Sequence, residues 1–318
     1  MAAEPKVVHV GIDVGGTKML CVVVDEQEHV LAQFQKPTHP WSQEIRDTAI
    51  SLTRISLRSA KQRLPAIRLG GIGLGIPGMI DHHTGRVHQA VNLGSDVTDI
   101  RSTISTEFGV DTLVENDVNA AAMGVYHLLR NRPENLVFLN LGTGVAAGII
   151  LNGTLFHGAS GVAGEIGHIP LDREGPLCQC GQQGCVETLI SGFALSQIWP
   201  TATGYPGEEL LREARSGKVE AQKAWRDFGV NVARTIQLIT LTFDPADIFL
   251  GGGVSKIGDP LLEIARKGIS QLEEGSRFLQ SLDMGRRLHL VDPDVPVGAL
   301  GAALLVGTDR NPRDSSPR

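Results

Sequence analysis

The sequence is short of aromatic residues, of cysteine and of positive charge. Aromatics supply 4% of its 318 residues, and 29 Lys+Arg stand against 35 Asp+Glu, a net charge of −6. With no basic cluster to neutralise a phosphate backbone, no nucleic-acid partner is expected. No apolar run approaches the roughly 18 residues of a membrane span, so no membrane partner is expected either. Residues 1–6 lack the basic stretch and apolar core of a secretory signal, and a cytoplasmic location is the expectation. Four cysteines are too few to staple a chain this long. Three of them crowd between Cys178 and Cys185, which points to a metal and away from a disulfide framework.

What the sequence does have is glycine: 38 residues, about 12% of the chain against a usual ~7%. They cluster beside apolar strands, as where backbone approaches a ligand. Residues 7–14, 20–25 and 30–34 read as strands joined by tight turns, an antiparallel opening. Apolar spacing predicts a helix over 45–64, a strand over 68–76 stopped by Pro77-Gly78, a helix over 98–108, a strand over 112–114 and an Ala-rich helix over 118–129. Residues 136–141 and 145–151 repeat the strand, glycine turn, strand pattern of 7–25, so two similar halves are expected. A long amphipathic helix over 219–241, a strand over 248–250 and helices over 260–272 and 297–305 follow. The alternation predicts a mixed, helix-covered sheet. His82-His83 reads as a solvated turn, and 311–318 as a disordered polar tail.

Asp13-Val14-Gly15-Gly16-Thr17-Lys18 sets a carboxylate at a strand end before two glycines and a hydroxyl. Such a turn can cradle phosphate on bared N–H groups, with Asp13 holding hydrated Mg²⁺; the plain alternative is a hairpin turn. Gly142-Thr143-Gly144 repeats that chemistry, and the pair can grip a polyphosphate from two sides. No Walker-type sequence is present. Gly251-Gly252-Gly253-Val254-Ser255 follows a strand and suits a nucleotide at close backbone range, or a simple strand-to-helix turn. In Glu115-Asn116-Asp117-Val118-Asn119, Asn116 or Asp117 can cap the following helix. Asp117 can equally take a proton from a hydroxyl attacking a phosphoryl group, since a helix N-terminus favours the ionised base.

The most specific constellation is His168 with Cys178, Cys180 and Cys185. One imidazole and three thiolates make a closed tetrahedral Zn²⁺ set, hence a structural metal; three incidental thiols are the alternative. Zinc on one ring nitrogen would aim the other nitrogen of His168, and with it Glu165, toward a ligand. Glu187 is tied to this group only by proximity through the metal loop and otherwise reads as a surface carboxylate. Cys21 reads as a core thiol.

Together these segments resemble the ROK family of bacterial sugar kinases, transcriptional repressors and relatives, over roughly residues 7–307. Asp13 to Lys18 looks like its first phosphate motif, Glu115 to Ala120 its catalytic segment, and Gly164 to His168 with Cys178 to Glu187 its zinc and sugar signature. The resemblance implies an α/β, actin-like (ribonuclease H-like) two-lobe ATPase fold with a cleft between the lobes. The small lobe is expected over 1–118 plus about 296–310, and the large lobe, with the zinc loop, over 119–295. It implies ATP near Gly15, Gly16, Thr17, Lys18, Gly142, Thr143, Gly144, Gly252, Gly253 and Ser255. It further implies a sugar read by Gly78, Asn92, Asn116, Asp117, Glu165, His168 and Glu187, with Asp117 the base for the 6-hydroxyl.

The implied activity is transfer of the ATP γ-phosphoryl group to the 6-hydroxyl of a hexose, glucose or a close analogue. The alternative is an amino-sugar kinase acting on N-acetylmannosamine, N-acetylglucosamine or an unacetylated aminohexose. Asn92-Leu93-Gly94-Ser95-Asp96 lacks the aromatic that family glucokinases often carry after the Asn-Leu pair, which sets the sugar rim apart. A sugar-sensing regulator is the third reading, but the first phosphate strand starts at about Val7, leaving too few residues for a helix-turn-helix. A homodimer or higher homo-oligomer is the default assembly.

Overall fold

The computed structural model describes residues 4–38, 42–81, 84–88, 99–202 and 204–308. Asn92, the His82-His83 pair and the expected tail lie outside them. The chain divides into two compact units: Met1–Arg130 with His157–Val162 and the chain from Pro296, and Asn131–Phe156 with Ala163–Val295.

The first unit opens with β1 (Lys6–Val14), β2 (Lys18–Asp25) and β3 (Val30–Pro37), β-branched runs punctuated by turns. They continue through α1 (Ser42–Arg63), β4 (Ile67–Ile76), the β5–β6 hairpin (Met79–Asp81, Arg86–His88), α2 (Ile100–Phe108), β7 (Asp111–Asn116) and α3 (Asp117–Leu128). The sheet order is β3-β2-β1-β4-β7, antiparallel across the first three strands and parallel from β1 to β4 to β7. Ile45, Ala49 and Leu52 of α1, with Ile100 and Ile104 of α2, bury Val10, Ile12, Ile72 and Leu74 on one face.

The second unit repeats the arrangement with β8 (Leu136–Leu141), β9 (Val145–Leu151), β10 (Thr154–Leu155), β11 (Asp247–Gly251) and β12 (Leu288–Leu290), in the order β10-β9-β8-β11-β12. Between them lie α4 (Glu187–Ile190), α5 (Gly192–Ile198), α6 (Pro206–Arg215), α7 (Val219–Phe243), α8 (Asp259–Glu273) and α9 (Arg277–Gln280). Trp225, Phe228, Val232 and Ile236 of α7 join Leu261 and Ala265 of α8 in the core with Val137, Leu139 and Ile248. The two halves read from the repeated β opening are thus two sheets of one strand order.

Helix α10 (Val297–Thr308) belongs to the first unit and packs on α3 and on β1, β2 and β4. The expected lobe boundary after residue 118 therefore differs from the observed one: α3 stays with the first unit because α10 needs it as a backing surface. The contact is nearly backbone on backbone. A Cβ at Gly301 would run into the Ala120 carbonyl and come within 2.6 Å of the Gly124 nitrogen, and one at Gly73 would meet the Ala302 backbone. Gly301→Ala is expected to lose about 1–3 kcal/mol by overpacking, seen as a lower urea midpoint at unchanged slope.

Candidate functional site

Parallel pairing aligns the C-terminal ends of three neighbouring strands in the first unit. Asp13 lies opposite Gly75, and Gly75 and Ile76 lie opposite Glu115 and Asn116. Loops at the carboxyl ends of parallel strands are where open α/β sheets bind ligands. Asp13 is the penultimate residue of β1, and burial pushes its carboxyl up to about 6, with Lys18 opposing. A carboxylate whose burial disfavours its charge is relieved by a cation, so the group suits Mg²⁺. The Gly15-Gly16-Thr17 turn closes by a Gly15 N–H bond to the Lys18 carbonyl at 3.0 Å. Thr38, absent from the sequence reading, braces it: its hydroxyl donates to Gly15 O at 2.7 Å and its N–H to Thr17 O at 3.0 Å.

Asn116 caps α3. Its Oδ1 accepts from Val118 N at 2.9 Å and Asn119 N at 3.2 Å, while its Nδ2 donates to Gly78 O at 3.1 Å. The cap and the expected ligand role thus fall on one residue, and the tether brings Gly78 to it. Asp117 is the first residue of α3 and is half-buried.

In the second unit β8 and β11 run parallel, with Asn140 opposite Gly251, which sets the 142–144 turn beside Gly252-Gly253. Gly252, at φ 84°, lies against the Leu141 backbone where a Cβ has no room. The Ser255 hydroxyl is buried and donates to Gly252 O at 2.8 Å, so it holds this turn in shape. A cavity of about 320 Å³ opens here, lined by Thr143, Phe193, Tyr205, Gly253, Val254 and Ile257 among others. Phe193 and Tyr205 are 51% and 64% exposed. Sequence reasoning missed both; the available signal was that Tyr205 is one of only two tyrosines. Glu187 turns back to this region, its Oε2 accepting from Val145 N at 3.0 Å beside Gly144.

The four expected metal ligands converge, their donor atoms all within 4.8 Å of one another. Cys180 Sγ and Cys185 Sγ are 3.7 Å apart, as are Cys178 Sγ and His168 Nδ1. A tetrahedron with Zn–S bonds of about 2.3 Å has edges of about 3.8 Å, so the donor set fits zinc. Nδ1 faces the thiols, which leaves Nε2 of His168 for a ligand. The Gln182 side chain clips the loop by donating to His168 O at 2.9 Å. Glu165 is held above its ordinary range by desolvation, with His168 opposing and Glu187 reinforcing. Cys21 is a fully buried core thiol, pushed up to about 12 by that burial.

The model of the ROK family matches residues 9–308. The chain belongs to the ROK family. This ROK protein is 30% identical to the glucokinase of Streptomyces coelicolor, over 86% of this chain and 91% of that protein. It is also 30% identical to the N-acetylmannosamine kinase of Salmonella arizonae, over 94% of this chain and 98% of that one. The solved ROK glucokinase of Streptomyces griseus, in complex with glucose and AMPPNP, superposes with a TM-score of 0.75 at 28% identity, covering 94% and 98% of the two chains. The ROK chain accordingly has the actin-like ATPase fold, one copy of its sheet in each unit. No helix among the described residues is long and apolar enough to cross a membrane.

Proposed function

We propose that this sugar kinase transfers the γ-phosphoryl group of ATP to the 6-hydroxyl of a hexose, glucose or a close analogue. The observation that carries the reading is the α3 junction, where Asp117 opens a helix whose cap, Asn116, is tethered to Gly78 at the carboxyl edge of the sheet. There Asp117 takes the hydroxyl proton as the sugar oxygen forms its bond to the γ-phosphorus and the bond to the β-phosphate oxygen breaks, releasing ADP. In the first unit Asn116 and Gly78 are the proposed sugar contacts; in the second unit they are Glu165, His168 and Glu187. The Gly15–Lys18 and Gly142–Gly144 turns offer amides to phosphate, and the Phe193–Tyr205 cavity suits the flat, apolar adenine ring. Asp13 would hold Mg²⁺, which spreads the charge of the transferring group. His168, Cys178, Cys180 and Cys185 would hold a structural zinc.

Asp13 gives the reading a pH signature. Burial lifts its pKa to about 6, above the ordinary 3.8 of an aspartate. Below about pH 6 the free protein carries it protonated, whereas cation binding needs it ionised. The KM for Mg·ATP is therefore expected to rise roughly tenfold per pH unit below 6, with proton release on binding near that pH. Folding shows the opposite sign: the raised pKa favours the native state below 3.8, and that contribution is lost as pH rises through 6. Asp13→Asn should abolish the KM slope while removing this loss of stability.

A second reading, an amino-sugar kinase, draws support from the Salmonella relative. Coupled ADP release with Mg·ATP and glucose, mannose, fructose, N-acetylglucosamine, N-acetylmannosamine and unacetylated aminohexoses separates the two. Preference for glucose supports the first reading, preference for an N-acetylated or free amino sugar the second, and silence across the panel defeats both.

A further inference from the structure

Glu115 is a carboxylate in a place that needs a reason. It is 3% exposed, at the end of β7 and directly before the Asn116 cap. A buried carboxylate is costly unless its oxygens are bonded and its charge is met. Oε1 accepts from Asn116 N at 2.8 Å and from Asn119 Nδ2 at 3.0 Å, gripping the first turn of α3 on both sides of Asp117. Oε2 lies 2.9 Å from Nε2 of His157. His157 arrives from elsewhere: it belongs with the first unit, although Phe156 before it and Ala163 after it belong to the second.

We infer that His157 is a positioning residue for phosphoryl transfer, fixing Glu115 and through it the α3 turn that presents Asp117. Asn116 N–H and Asn119 Nδ2 both bond Oε1, which ties the carboxylate to the α3 turn. The His157 bond to the second oxygen holds the same carboxylate from another segment of the chain, and removing it loosens that grip. Once Glu115 is fixed, the Asn116 N–H and the Asn119 side chain are fixed with it, and the residue between them keeps one placement. In-line transfer depends on such placement, and misplacement by about 1 Å can cost about a hundredfold. His157 touches no reacting atom in this scheme. Its effect therefore belongs in turnover and not in substrate affinity. The inference rests on Asp117 being the base.

The test uses the full chain with Mg·ATP and whichever sugar it turns over best. His157→Ala is expected to lower kcat about tenfold or more while both KM values stay within about threefold. His157→Gln keeps a nitrogen donor close to the position of Nε2 and should recover at least half of the wild-type kcat. Because the two residues act through one contact, His157→Ala should cost less than about twofold when added to Glu115→Gln. A kcat within twofold of wild type in His157→Ala, no rescue by glutamine, or fully multiplicative losses would each overturn the inference. So would a raised sugar KM with kcat kept, which would make His157 a sugar contact. If Asp117→Asn retains full activity, the base assignment fails separately. A readout independent of turnover is amide exchange at Val118 and Asn119, expected to quicken in His157→Ala and return in His157→Gln; unchanged exchange also overturns it.

Discussion

Replacing Asp117 by asparagine is expected to lower kcat by about a hundredfold or more, the usual scale for loss of a general base, with sugar affinity nearly intact. The substitution keeps side-chain size and one acceptor oxygen at the head of α3, exchanging the other oxygen for an amide nitrogen. The Asn116 cap, with its bonds to Val118 N and Asn119 N, does not depend on residue 117. The helix should therefore stand, and only proton acceptance should be lost. Binding measured by calorimetry beside turnover separates the two effects. A variant that binds sugar and turns over at the wild-type rate would remove Asp117 from the role. Equal loss of binding and turnover would make it a sugar ligand only.

The second large effect belongs to the metal cluster. Elemental analysis should give about one zinc per chain. Cys180→Ser, or chelation of the metal, should weaken sugar affinity at least about tenfold and lower Tm by more than about 5 °C. The loop from Ile166 to Glu187 carries little regular structure: a three-residue helical turn at Ile166–His168, isolated bridges between Pro170 and Cys185 and between Leu177 and Gln183, turn bonds such as Val186 N–H to Ile169 O at 3.0 Å, and the Gln182 clip. Its fastening is felt at the nucleotide side as well, because Glu187 begins α4 two residues after Cys185 and bonds Val145 N. Metal loss should accordingly raise the KM for Mg·ATP along with that for sugar. A metal-free chain of full activity and unchanged Tm would refute the assignment.

Where the sequence was legible, local pattern and tertiary demand agreed. The β-branched runs around Gly15-Gly16 and Gly142 to Gly144 are strands because alternating residues such as Val8, Val10 and Ile12 fill a core. The convergence of His168, Cys178, Cys180 and Cys185 was readable because liganding chemistry restricts residue types and spacing more tightly than packing does. Helix α6 was missed: it starts at Pro206-Gly207, a pair that reads as a turn, and buries only Gly207, Leu210 and Ala214. Strand β12 and the β5–β6 hairpin are three-residue strands set by their neighbours. Thr38, Phe193, Tyr205 and the His157–Glu115 contact were not legible for a shared reason. Thr38 and His157 act on partners far away in sequence, and Phe193 and Tyr205 line a cavity with residues equally distant, so no local spacing carries these groupings.

The discontinuity of the first unit bears on how the molecule is made. Helix α10, which seals β1 and β4 and backs α3, follows the whole second unit in sequence. During synthesis the first sheet waits with a smooth glycine-lined face uncovered, while the second unit has every strand it needs by residue 290. The half translated later is thus free to complete itself first, reversing the usual N-to-C order of vectorial folding. In the interval the face around Gly11 and Gly73 lacks the helix that covers it, and a ribosome stalled shortly before residue 297 would hold one finished half and one unfinished one.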